Sequence, residues 1–273
     1  MPPAFEVLNP QVRRGPYRAV LFDFDGTLSL IREGWPRVMV GMMVEILRDR
    51  NLTHETDEVL WGLIERFVMA RNGHPTILQM ERFAEEITTR GGIPDAPNVY
   101  LQTYFDRLML VVQQRWDLLA SGRVTAEQWV VPNAHAILRN LQVRGVPLYL
   151  ASGTDLASVQ HEGQLLKVLS FFGEHMYAPV GGDPTFSKAH VVDRIIASLG
   201  IRGDELLGFG DGVVETQEVK RVGGTFVGVA SSEYGQSGVH PEKRTRLAAA
   251  GADLIVPDYV EQEALLDWLF ATS

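Results

Sequence analysis

Two periodicities divide the chain. Residues 19–24, AVLFDF, form a near-continuous apolar run, the pattern of a strand buried on both faces. From about 32 to 131 apolar residues recur three and four apart instead. Val38, Met42 and Leu47 form one such stripe; Leu60, Leu63, Ile64 and Phe67 a second. Ile77, Met80, Phe83 and Ile87 form a third, and Tyr104, Leu108, Val111 and Val112 a fourth. This spacing predicts four or more helices and no strand, with RNGHP (71–75) and GGIPDAP (91–97) as breakers between them. After Pro132 the two patterns alternate. Helices are predicted over about 133–144, 155–170, 188–199, 214–221, 242–250 and 260–270, with Asn133 capping the first. Strands are predicted over 147–152, 175–178, 206–210, 225–230 and 252–256. Residues 1–17, rich in proline and basic side chains and without a period, read as a lead-in.

Strands alternating with helices predict an α/β fold, a Rossmann-like parallel sheet with helices on both faces. The sheet is interrupted after its first strand by an all-helical insertion. The boundaries read as 1–31 with 132–273 for the α/β core and 32–131 for the insertion. A length of 273 residues is enough for this pair, at about 100–200 residues per domain.

Composition narrows the chemistry. The formal net charge is −9 and no basic cluster stands out, which argues against nucleic acid as a partner. The chain contains no cysteine, so disulfides, thiolate metal sites and cysteine nucleophiles are excluded. The N-terminal stretch has no apolar core of a secretory signal. The longest apolar runs, such as VMVGMMV at 38–44, fall well short of the ~20 residues of a membrane span. These features predict a cytoplasmic protein without a membrane or nucleic-acid partner.

In open parallel sheets ligands bind beyond the C-terminal ends of the strands. The first strand ends in Asp23-Phe24-Asp25-Gly26-Thr27, and the next core strand in Ser152-Gly153-Thr154. Lys188 opens a helix, and Gly210-Asp211-Gly212 ends a later strand, with Glu215 in the helix that follows. Asp23, Asp25, Asp211 and Glu215 would place four acids at one sheet edge, where their repulsion needs an offset. A hard cation such as Mg2+ supplies it, since it takes oxygen ligands and pairs carboxylates with substrate phosphate. Ser152 and Thr154 offer hydroxyls, backbone N–H groups near Gly26 and Gly153 an anion nest, and Lys188 a positive charge. Together these suit a phosphoryl group. One aspartate could attack it while its neighbour moves protons. Each residue also has a plain structural role open to it: Ser152 as a helix cap, Asp211 as a turn residue, Glu215 as a first-turn helix acid.

The ordered set DFDGT at 23–27, Ser152, Lys188, and Asp211 with Glu215 resembles the phosphatase-type members of the haloacid dehalogenase superfamily. The insertion between the first two motifs resembles the helical cap domain of phosphoglycolate phosphatase-like and β-phosphoglucomutase-like proteins. The resemblance implies a phosphoric monoester hydrolase acting on a small phosphorylated metabolite through an aspartyl phosphate. It implies Asp23 as nucleophile and Asp25 as general acid and base. Mg2+ would be held by the Asp23 carboxylate, the Asp25 main-chain carbonyl and Asp211, with Glu215 as a ligand either directly or through water. Ser152, Gly153 and Lys188 would grip the phosphoryl group. The family more often has Asp where Glu215 stands. Dehalogenase members lack the second aspartate, so Asp25 argues for phosphate chemistry.

Specificity would then lie in the cap. Arg32, Glu33, Trp35 and Arg37 follow the hinge, and Arg71, His74 and Gln79 lie near the first breaker; each also reads as an ordinary solvated or loop residue. Two rivals use the same residues. A phosphomutase would pass the phosphoryl group to a sugar hydroxyl, and a non-catalytic module would only bind the ligand. The sequence leaves the substrate and the oligomeric state open.

Overall fold

The computed structural model describes residues 5–71, 75–181, 183, 185–232 and 238–271. It divides into two compact units, Met1–Glu33 with Trp116–Ser273, and Gly34–Arg115. His74 lies outside the described residues.

Among the described residues the first unit is built on seven strands: β1 (Glu6–Val7), β2 (Ala19–Phe22), β3 (Leu148–Ala151), β4 (Met176–Tyr177), β5 (Leu206–Gly210), β6 (Thr225–Val229) and β7 (Leu254–Val256). Their order in the sheet is β1-β7-β6-β5-β2-β3-β4. All neighbours are parallel except β1, which runs antiparallel to β7 with Glu6 opposite Ile255 and Val7 opposite Leu254. The segment read as a lead-in therefore does more: its strand at Glu6–Val7 lies at one sheet edge and makes the sheet mixed. Glu6 anchors it through two bonds from Arg244, at 2.7 and 2.5 Å, and Asn9 donates to buried Asp253 at 2.8 Å. A two-residue strand has no period for the sequence to display.

The second unit holds helices α1 (Trp35–Asp49), α2 (Asp57–Ala70), α3 (Ile77–Thr89) and most of α4 (Pro97–Ala120). Helices α1 and α2 pack together, as do α2 and α3. The unit boundary falls within α4, between Arg115 and Trp116, earlier than the residue 131 read from the sequence. The helical period runs through that point unbroken, so the pattern alone does not mark it.

Among the described residues the first unit also holds the end of α4 and the helices α5 (Ala134–Val143), α6 (Leu156–Leu165), α7 (Lys188–Leu199), α8 (Val213–Arg221), α9 (Pro241–Ala250) and α10 (Gln262–Phe270). Helix α6 is shorter than its periodic stretch because Lys167 turns to a positive φ of 59°. Asn133 does stand before α5, but at φ 62° and with no cap bond from its side chain. Strands β2, β3, β5, β6 and β7 are buried throughout, as central parallel strands must be. Ala19 and Leu21 face a cluster with Val191, Val192 and Ile195 of α7, Val219 of α8 and Leu247 of α9. Successive side chains alternate across a strand, so Phe22 turns to the opposite face. There its ring stacks on Phe209 at 4.7 Å, and Phe209 meets Tyr259 edge-on at 6.1 Å.

The chain leaves and re-enters this unit along one path. Leu30 N–H donates to Trp129 O at 2.8 Å, and Val131 N–H to Leu28 O at 3.0 Å. Among the described residues no helix is long and apolar enough to cross a membrane. The Phe22 stack lies directly beneath the strand end that carries Asp23. We expect Phe22→Ala to lower stability by about 3–5 kcal/mol, read as a lower urea midpoint by circular dichroism. A loss under ~1 kcal/mol would show that the stack does not hold this end of the sheet.

Candidate active site

Asp23 is the first residue beyond β2. Its N–H donates to Phe209 O at 2.9 Å, so the ladder with β5 continues one residue past the strand and pins its backbone. The next residues close a tight loop: Leu28 N–H and Ser29 N–H both donate to Phe24 O, at 2.8 and 2.9 Å, and Gly26 N–H donates to Ser29 O at 2.9 Å. Gly26 sits at φ 73°, where a side chain is strained, and a Cβ there would run into the Asp211 carboxylate. Glycine thus lets the loop after β2 lie against the turn after β5.

Sheet order places the ends of β3, β2, β5 and β6 side by side. Lys188 stands at the start of α7, behind the Ser187 cap, whose Oγ accepts from Ala189 N–H at 3.2 Å. Its Nζ donates to Asp23 Oδ1 at 2.6 Å and to Glu215 Oε2 at 3.0 Å. Glu215, in the first turn of α8, folds back so that Oε1 accepts from Gly212 N–H at 2.6 Å. Asp23, Asp211 and Glu215 each offer a carboxylate oxygen, all within 4.8 Å of one another. The sequence-predicted residues Asp23, Lys188, Asp211 and Glu215 therefore converge.

Asp25 faces different partners. Its Oδ2 accepts from Thr154 Oγ1 at 2.8 Å, and its Oδ1 lies 3.7 Å from Arg32 Nε. Two aspartates one residue apart are thus held by separate groups, because β2 has already ended and the loop turns Asp25 away. Ser152 is buried, and its Oγ accepts from Thr154 N–H at 3.0 Å. Gly153 is exposed, with open space where a side chain would be.

The charges are unevenly balanced. Burial pushes the Asp23 carboxyl well above its usual range; Lys188 opposes this, while Glu215 and Asp211 add to it. Burial likewise raises Asp211, opposed by Lys243 and reinforced by Glu215. Burial alone would lower the Lys188 ammonium, but Asp23 and Glu215 outweigh it and hold its pKa above the ordinary value. The carboxylate cluster is short of positive charge. Its donors are all hard oxygens, and Gly26 leaves clearance beside Asp211, so these residues fit a hard divalent cation.

The sequence leaves open whether the stretch 231–243 reaches this site or a partner subunit, and it singles out neither a residue within that stretch nor Tyr259. Lys243, buried in the first turn of α9, reaches Asp211 Oδ2 at 3.1 Å and Ser231 Oγ at 3.4 Å. Ser231 in turn donates to Gly26 O at 3.2 Å, and Tyr259 OH to Thr27 O at 3.0 Å. The rule of strand ends, applied to β6, points to Ser231 and the helix after it. Of the residues suggested for the insertion, Arg37 is exposed on α1, and Arg71 ends α2 with its N–H on Val68 O at 3.2 Å. Gln79 is buried and donates to Val68 O at 2.9 Å, a structural bond within the helical unit. Arg32 belongs to the first unit and is bound there to Glu162.

Comparison with known proteins agrees with this arrangement. The chain is similar in fold to a protein described as a predicted phosphoglycolate phosphatase from Haemophilus somnus 129PT, with TM-score 0.60, 15% identity, and coverage of 91% of this chain and 97% of that one. It is similar to a HAD family hydrolase from Deinococcus radiodurans R1, solved with bound phosphate and sodium: TM-score 0.58, 20% identity, coverage 92% and 96%. A β-phosphoglucomutase from Clostridium difficile gives TM-score 0.59 at 12% identity, covering 93% and 97%. No curated protein matches the chain. A family profile, that of the haloacid dehalogenase-like hydrolases, matches residues 17–223. That span takes in every one of the strand-end motifs from Asp23 to Glu215, and the chain belongs to the haloacid dehalogenase-like hydrolase family.

Proposed function

We propose that the protein is a Mg2+-dependent phosphatase of small phosphorylated metabolites, working through an aspartyl phosphate on Asp23. The observation that carries this reading is the separation of the two aspartates. Asp23 sits in the cation-deficient cluster with Lys188, Asp211 and Glu215, while Asp25, two residues on, is held outside it by Thr154. This separation supports a nucleophilic role for one carboxylate, beside a cation, and a proton-transfer role for the other, which keeps its own hydrogen bonding.

Asp23, Asp211, Glu215 and the main-chain carbonyl of Asp25 would hold the Mg2+. When bound, it supplies the positive charge that lets a carboxylate and a phosphoryl dianion approach each other. A carboxylate oxygen of Asp23 attacks phosphorus, and the bond from phosphorus to the leaving oxygen breaks as Asp25 gives that oxygen a proton. Water then attacks the phosphorus of the aspartyl phosphate and gives a proton to Asp25. Inorganic phosphate leaves and the Asp23 carboxylate is restored. Ser152, the Gly153 N–H and Lys188 bind the phosphoryl oxygens through both steps. We assign choice of metabolite to the helical unit Gly34–Arg115, acting as a cap, with Arg37, Arg71 and His74 as candidate contacts. Its insertion in sequence between the Asp25 and Ser152 motifs supports this.

Phosphate release from a panel of phosphorylated sugars, short acids and nucleotides tests the reading. Release should need Mg2+, stop with chelator, and be absent in Asp23→Asn; a folded and active Asp23→Asn would overturn the mechanism. Sugar phosphate isomerised without phosphate release would instead identify a phosphomutase. Asp25→Asn should lower turnover by roughly 10²–10⁴-fold, the usual contribution of a general acid or base. Metal binding has its own readout. At a hundredfold excess over Kd, Mg2+ should stabilise the fold by about 2.7 kcal/mol, seen as a raised Tm. Asp211→Asn should lose most of that shift, and an unchanged shift would remove Asp211 from the metal site.

A further inference from the structure

Asp25 has a neighbour on each of two sides, and both neighbours trace to one segment of chain. On one side Thr154, just past β3, donates to Oδ2 at 2.8 Å. On the other, Oδ1 is buried without a hydrogen bond, and the nearest cation is Arg32, with Nε at 3.7 Å. Arg32 is itself held. Its Nε and Nη2 both donate to Glu162 Oε1, at 3.1 and 2.7 Å. Glu162 lies on α6, the helix that begins directly after Thr154, with Asp155 as its cap. The β3–α6 segment therefore touches Asp25 directly through Thr154 and indirectly through Glu162 and Arg32.

Glu162 is wholly buried, with 0% of its side chain exposed. A buried ion pair is weak evidence for stability, because desolvating two charges costs about what their attraction returns. Burial, and next the charge of Asp25, push the Glu162 carboxyl up to about 7, against the pull of Arg32. Glu162 and Asp25 thus compete for one guanidinium. A planar guanidinium pinned by one acid presents a fixed direction to the other, which a mobile ammonium does not.

We propose that Arg32 and Glu162 are positioning residues: Glu162 locks the Arg32 guanidinium, and Arg32 holds the Asp25 carboxylate in the orientation its proton transfer needs. The inference rests on the phosphatase reading above and adds to it a support for the general acid. Neither residue needs to touch substrate. Their loss should harm protonation of the leaving oxygen and spare attack by Asp23.

Aryl phosphates of graded leaving group separate these effects: dinitrophenyl, p-nitrophenyl and phenyl phosphate. The value to compare is kcat/KM, which reports the chemistry up to phosphoryl transfer, with folding of each variant checked by its thermal melt. For Arg32→Gln we expect kcat/KM on phenyl phosphate to fall at least ~10-fold, and on dinitrophenyl phosphate less than ~3-fold, since that leaving group needs no proton. Glu162→Gln should show the same selective loss, less steeply. Arg32→Lys keeps the charge but not the planar fork, and should remain selectively impaired; it carries the test if Arg32→Gln does not fold. Equal losses across the series, or no loss, in folded variants would overturn the proposal and leave the phosphatase reading intact. A wild-type protein that hydrolyses neither this series nor any member of the metabolite panel, with Mg2+ present, would overturn the phosphatase reading and the inference with it.

Discussion

The Lys188 ammonium is the charge on which the acidic edge of this sheet depends. Asp23, Asp211 and Glu215 crowd together within 4.8 Å, and Lys188 bonds two of them. Such carboxylates cannot share a buried space without compensation. Lys243 gives Asp211 a second cation at 3.1 Å, and still burial and mutual repulsion push Asp23 and Asp211 above the usual carboxyl range. A site left short of positive charge is chemically suited to a hard cation. Strain of this kind belongs at functional positions and is offset by the apolar sheet beneath, here the stacked rings of Phe22 and Phe209.

The sheet order turns scattered residues into one edge. Asp23, Ser152, Asp211 and Ser231 lie far apart in sequence, yet each follows a strand whose neighbours in the sheet carry the others. Parallel strands all end on the same side, so each adds a residue just past its end to a common row. The helices that follow add their first turns, which supplies Lys188, Glu215 and Lys243. Site and scaffold therefore come from one repeated unit, strand then helix, and the 34–115 insertion leaves that repeat intact because its two connections pair with each other.

Much of this was legible in the sequence because alternation is a local signal. The strands at 206–210 and the helix at 188–199 stand where their patterns place them. What escaped was either too short or too distant to leave a period. The two residues of β1 have no alternation to show. The end of α6 depends on Lys167 taking a left-handed conformation, which no residue type announces. Glu162 meets Arg32 across 130 positions, and a single acid on a helix face carries no mark of a distant partner. His74, proposed from the first breaker, lies outside the described residues.

Glu215 shows how one methylene is accommodated. Its Oε1 caps the turn through Gly212 N–H while its Oε2 faces Lys188, so one side chain closes the first turn of α8 and contributes to the charge cluster. Doing both requires the chain to lie flat over the end of β5. Gly210 permits this: a Cβ there would stand 2.5 Å from Glu215 Cγ and 2.9 Å from the Phe226 ring. A shorter aspartate at this position would leave that space empty and would have to give up either the cap or the lysine. The glycine at the strand end and the longer acid five residues on, in the first turn of α8, are therefore one structural choice, made across the same stretch of sequence that carries Asp211.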